Sequence, residues 1–111
     1  MRAERVMLIR CPPGSAAAEA AHRLAVRWRR LPERVLLFFQ GPGLDHVEAG
    51  SESAFAGLAG SGLALSACSG GWRRRSGLAL PPPFQFGSLV QFWSAAKSAT
   101  EVASFGVMDD G

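Results

Sequence analysis

Long apolar runs are missing from this chain, and no stretch approaches the roughly 18 to 20 residues that would span a bilayer. Cysteine is scarce, with two residues in 111. Two thiols make no disulfide scaffold, and there is no CxxC pair or Cys/His set at ligand spacing to form a zinc site. The sequence has neither a GxGxxG nor a GxxxxGK[ST] loop, so Cys11-Pro12-Pro13-Gly14-Ser15 is a poor phosphate-binding turn and a nucleotide site is not expected. It also lacks a GxSxG turn and a carboxylate pair with a shared pocket. Nothing in the composition points to disorder, collagen or a repeat array.

What is present suits one folded domain over residues 1–111. Apolar residues make up 48% of the chain, enough for a core at this length. The net charge of +3 is unevenly spread. Arginines gather at Arg27, Arg29 and Arg30 and again at Arg73, Arg74 and Arg75, while the tail carries Asp109 and Asp110. A basic chain of this kind suits RNA or an acidic partner surface, and charge alone does not choose between them. At the start only residues 6–9 are apolar, short of the about 7 to 15 residues of a secretory core segment. Cys11 follows Arg10, the wrong context for lipid modification. The expectation is a soluble cytoplasmic protein with no membrane attachment.

The pattern along the chain alternates strand and helix. Residues 6–9 and 35–39 are continuous apolar runs closed by Cys11-Pro12-Pro13-Gly14 and Gln40-Gly41-Pro42-Gly43, as in strands buried on both faces. Ser15 is placed to cap a helix over 16–31, with Ala17, Ala20, Leu24, Trp28 and Leu31 inward and His22 on the wet side. Pro32 ends it. A weaker helix is expected over 51–59, a third strand over 62–67, and a turn or two of helix over 69–75. Residues 76–83 read as loop, because Pro81-Pro82-Pro83 forbids regular structure. A very short strand at 84–86 follows. Ser88 then caps a helix with Leu89, Phe92, Trp93, Ala96 and Ala99 as its stripe, and residues 102–107 make a last strand. This order implies an α/β fold: a single flavodoxin-like three-layer domain with a mostly parallel sheet of about five strands. The expected strand order is 2-1-3-4-5, which makes the first and third strands neighbours.

That topology puts Cys11 and Cys68 at the carboxyl edge of the sheet, beside the crevice where such folds bind ligands. A thiol attacks as thiolate, which a helix start and adjacent cations favour. Cys68 would have both, from the segment 69–75 and from Arg73, Arg74 and Arg75. Gly70 and Gly71 would let a substrate approach the sulfur. The alternative is that Cys68, and still more Cys11, simply fills the core, as cysteine often does. A Cys11–Cys68 disulfide requires Cα atoms within about 7 Å. His46, in a loop after the second strand, is a candidate acid–base group, and Asp45 a turn or cap residue. Trp28 belongs to the core. Trp72 either forms a docking surface or tucks under the loop, and Phe92 and Trp93 are core or subunit interface.

The segments VLLFFQGPGLDHV (35–47) and LALSACSGGWRRRSG (63–77), with the closing FQFGSLVQFWSAAKSATEVASFGV (84–107), resemble the DsrE/DsrF-like sulfur-relay family, most closely its DsrE or TusD type. The resemblance implies a flavodoxin-like domain assembled as a homo- or hetero-oligomer, a trimer or a hexamer. It implies a sulfurtransferase-like persulfide carrier in which Cys68 is the catalytic residue. Cys68 would take a sulfane sulfur from a donor protein such as a TusA-like carrier and pass it on, toward tRNA thiolation or sulfur metabolism. No cofactor or metal is required. Cys11, Arg73, Arg74, Trp72 and His46 are the accessory candidates. The chain departs from the family in its shorter loop after the second strand, in Gly70-Gly71-Trp72, and in Pro81-Pro82-Pro83. A non-catalytic structural or binding subunit of such an oligomer is the alternative. A small basic RNA-binding protein ranks third, since no RNP-like aromatic motif is present, and a nucleotide-binding domain fourth.

Overall fold

Two runs of side chains that must be buried on both sides dictate the centre of the molecule. The computed structural model describes residues 2–60 and 62–106. In it β1 (Arg5–Ile9) and β2 (Val35–Phe39) lie side by side and almost wholly buried. Around them stand α1 (Ala16–Arg29), α2 (Leu44–Glu48), β3 (Leu63–Cys68), α3 (Ser69–Arg75), β4 (Gln85–Gly87), α4 (Leu89–Ser98) and β5 (Glu101–Phe105). Val107, expected to end the last strand, and Asp109-Asp110 lie outside the described residues.

Every strand pair is parallel, and the order is β4-β3-β2-β1-β5. The parallel three-layer α/β expectation holds, but the order 2-1-3-4-5 does not. β2 separates β1 from β3, and the point where the chain reverses direction across the sheet lies between β1 and β5. Two glycines mark the close approaches that this arrangement needs. A Cβ on Gly43 would fall 2.1 Å from the Ile9 carbonyl oxygen, and one on Gly106 would fall 2.7 Å from the Arg10 carbonyl carbon. Gly106 also has φ +106°, a conformation that L side chains avoid.

The two faces are covered unequally. On one, α1, α2 and α3 bury Met7, Ile9, Leu37, Phe39, Leu65 and their neighbours. On the other, α4 alone covers Val6, Leu8, Leu36 and Phe38 with Phe92 and Ala95. Both long helices begin where a serine stops the backbone from fraying. Ser15 accepts from the Ala18 N–H at 3.1 Å. Ser88 and Gln91 form a reciprocal capping box, at 3.0 and 2.9 Å.

Several helix expectations are corrected. α1 turns Ala18, Ala21, Ala25 and Trp28 inward, with Ala17 and Leu24 only partly buried and Leu31 exposed. Small side chains let the helix lie close on the sheet, and alanines on nearly every side made the stripe ambiguous. The helix expected over 51–59 is instead α2 at 44–48 followed by single 3-10 turns at 50–52 and 56–58. Gly50, at φ +59°, breaks it. On α4, Phe92 is buried but Leu89 and Trp93 are not, and Trp93 is 59% exposed. The helix roofs only the β1–β2 half of its face, so a stripe wider than that reaches solvent.

Candidate functional site

The carboxyl ends of β1, β2 and β3 deliver residues to one cleft. Its volume is about 290 Å³, and Arg10, Gln40, Gly41, Leu44, Cys68, Gly71, Arg74 and Arg75 line it. Cys68 is the last residue of β3, registered against Gly87, and is the residue from which α3 starts. Its side chain is half-buried and packs partly against the Phe38–Phe92 cluster. A Cβ on Gly71 would lie 3.7 Å from Cys68 Sγ and 3.0 Å from Leu44 Cδ1, so the missing side chain leaves the space beside the sulfur open.

The three arginines after Trp72 have different positions. Arg74 lines the cleft. Arg75 also lines it, but its guanidinium is committed. It donates to Asp45, to Glu48 at 3.0 Å and to the Gly41 carbonyl at 3.3 Å, tying α3 to α2 and to the turn after β2. Asp45, with help from Glu48, holds that guanidinium still more firmly protonated, against the opposing pull of burial. Arg73 is exposed and is not among the cleft residues. Arg10 is a cleft residue that the sequence reading missed. The available signal was its place immediately after a fully buried strand, where the chain must emerge at the carboxyl edge.

The other candidates are elsewhere. Cys11 is buried in the core on the α1 face, where desolvation raises its thiol pKa against a hydrogen bond from Ser15. Both cysteines are free. β2 lies between the strand that Cys11 follows and the strand that Cys68 ends, and those two strands are two spacings apart, about 9 to 10 Å. That exceeds the about 7 Å a disulfide can bridge. The two cysteines also pack against opposite faces of the sheet, so no Cys11–Cys68 disulfide fits this fold. Trp72 is tucked under the loop. It is buried, and its indole N–H donates to the Leu78 carbonyl at 2.8 Å.

His46 belongs to α2 rather than to a loop and lines a different cavity. Its Nε2–H donates to the Cys11 carbonyl at 2.9 Å, and its ring meets Phe39 and Phe55. Burial lowers its pKa, opposed by that hydrogen bond and by Asp45. His22 is half-buried rather than on the wet side, donating from Nε2 to the Ala54 carbonyl at 3.0 Å.

Among the described residues, no group of three His, Cys, Asp or Glu side chains is arranged to hold a metal ion. No helix among them is long and apolar enough to cross a membrane. The arginine clusters do not share a face. Arg27, Arg29 and Arg30 close α1 just before β2 starts, at the amino edge of the sheet, whereas Arg75 contacts the turn at the carboxyl edge.

No protein-family model matches the chain, and no curated protein does. Among solved structures, the ychN protein of E. coli is similar, with a TM-score of 0.68 and 20% identity over 95% of this chain and 100% of that one. At that identity the likeness establishes the fold alone.

Proposed function

We propose that this chain is a sulfur-relay protein of the DsrE/DsrF-like kind, a sulfurtransferase-like carrier in which Cys68 accepts a sulfane sulfur and hands it on. The observation that carries this reading is the setting of Cys68: a half-buried thiol at the carboxyl edge of a parallel sheet, in a cleft that Gly71 keeps open and that Arg10 and Arg74 line. The resemblance of residues 35–47 and 63–77 to that family supports it, as does the shared fold of the E. coli protein.

The chemistry is thiol–persulfide exchange. The Cys68 thiolate attacks the terminal sulfur of a donor persulfide, the donor's S–S bond breaks, and the donor leaves as a thiolate. The persulfide on Cys68 is then the donor for the next thiol. One S–S bond forms as one breaks, so no external oxidant or metal is consumed. The rate follows thiolate fraction, access and leaving group, as in ordinary thiol–disulfide exchange. Arg10 and Arg74 would draw an anionic sulfur donor or an acidic carrier to the cleft.

A TusA-like carrier is the partner we assign, in a cytoplasmic homo- or hetero-oligomer, trimer or hexamer. Leu89, Val90 and Trp93 on α4 and Val102 on β5 are exposed large apolar side chains on the α4 side of the sheet, which supports assembly through this side. The separated arginine clusters count against RNA binding.

The test is mass spectrometry after incubation with a persulfide donor, using wild type, Cys68→Ser and Cys11→Ser. One added sulfur that maps to Cys68 and vanishes only in Cys68→Ser is the expected result. No gain in any form, with Cys68 inert to an alkylating agent, would make the chain a non-catalytic subunit.

A further inference from the structure

A second hollow beside the helices shares no lining residue with the Cys68 cleft. It lies between α1 and the segment 46–55, has a volume of about 410 Å³ and is walled mainly by apolar surface, including Pro13, Ala18, Ala49 and Phe55. That volume falls within the range of small-molecule sites. Three of its walls are rings. Phe55 meets His46 edge-on at 5.0 Å between centroids and His22 at 5.3 Å, so aromatic faces and edges are already set for another ring.

One polar atom is left over in this wall. His46 is 97% buried, and its Nε2–H is used on the Cys11 carbonyl, which fixes the tautomer and leaves Nδ1 as an acceptor. Nδ1 has no partner among the described residues. It is not sealed from solvent, and the opening that His46 lines is this cavity. Water in the open cavity serves this acceptor in the free chain, and a bound donor would take that water's place. The rim argues about charge. Glu19 and Glu52 contribute two carboxylates against the single guanidinium of Arg23, which disfavours an anion.

We propose that this cavity is a binding site for an uncharged aromatic molecule carrying one O–H or N–H, which donates to His46 Nδ1. The site is separate from the cleft at Cys68 in lining residues and in charge preference: that cleft suits anions, this cavity repels them.

The test is an NMR titration of the full chain with phenol, toluene and benzoate as probes. Phenol should bind saturably, with shifts centred on His46, Ala49 and Phe55. Toluene, of similar shape without the donor, should bind about 2- to 10-fold more weakly, the range for one hydrogen bond. Benzoate should not bind there. His46→Phe should equalise phenol and toluene. Ala49→Leu, at an exposed position on the rim, should weaken both while leaving the remaining spectrum native. Absence of saturable phenol binding, equal affinity of the wild type for phenol and toluene, or phenol binding undiminished in Ala49→Leu would each overturn the proposal. The wild-type comparison and Ala49→Leu decide it even where His46→Phe fails to fold.

Discussion

Gly71 stands against Cys68 with no side chain of its own, and a Cβ there would meet Leu44 Cδ1 at 3.0 Å and Cys68 Sγ at 3.7 Å. Alanine at 71 would press on the flexible end of Leu44 and touch Sγ at an ordinary distance. A larger side chain would occupy the approach itself. Gly71→Leu is therefore expected to slow alkylation of Cys68 severalfold, whereas Gly71→Ala should change it little and favour α3 by about 0.5 to 1 kcal/mol. Stopped-flow labelling with iodoacetamide, beside thermal melts, separates the two effects.

The thiols should be distinguishable by accessibility alone. Cys11 is 3% exposed and Cys68 is half-buried at a cleft. Native protein should take up one equivalent of a maleimide, at Cys68, and a second only in denaturant. Peptide mapping that finds Cys11 labelled first would contradict the packing described here.

Arg75 is the strap between α3 and α2. Its partners are at the surface, so Arg75→Ala should cost about 1 kcal/mol, less in high salt. Lysine should not restore it, because one ammonium cannot reproduce a fork that reaches Asp45, Glu48 and the Gly41 carbonyl. Urea melts of the three forms at two salt concentrations provide the measurement.

Stability should fall at both ends of the pH scale. His46 has a folded pKa below its usual 6.5, so the unfolded chain binds the extra proton first. Its contribution is present above pH 6.5 and is lost as the pH drops through the interval down to the folded value. Cys11 behaves oppositely: its folded pKa lies above 9.0, so stability is lost as the pH rises past that value. Denaturation midpoints against pH should show both limbs, the acid one flattened in His46→Phe and the alkaline one in Cys11→Ser.

Much of this was legible in the chain and some was not, for physical reasons. Residues 6–9 and 35–39 carry no polar side chain to place in water, so a doubly covered parallel sheet was the available solution. Ser15 and Ser88 announced their helices because a hydroxyl in that position satisfies free N–H groups. Cys68 followed from the length of the third apolar run. Strand order was not legible, since a crossover from β1 can settle on either side with the same local pattern. What decides it here is close packing such as Gly106 on Arg10 and Gly43 on Ile9, between residues remote in sequence. The misplacement of Trp93 has the same origin. Its spacing is that of a core residue, but only half of that sheet face is roofed.

Placing β2 between the two cysteine-bearing strands has a chemical consequence. A protein whose thiols can reach each other can discharge an oxidised sulfur internally and return to rest alone. Here that escape is structurally shut, since a sulfur oxidised at the end of β3 has no internal neighbour to reduce it. An oxidised Cys68 is therefore reduced only by a thiol from another molecule, and without one its oxidation runs on to the sulfinic and sulfonic acids.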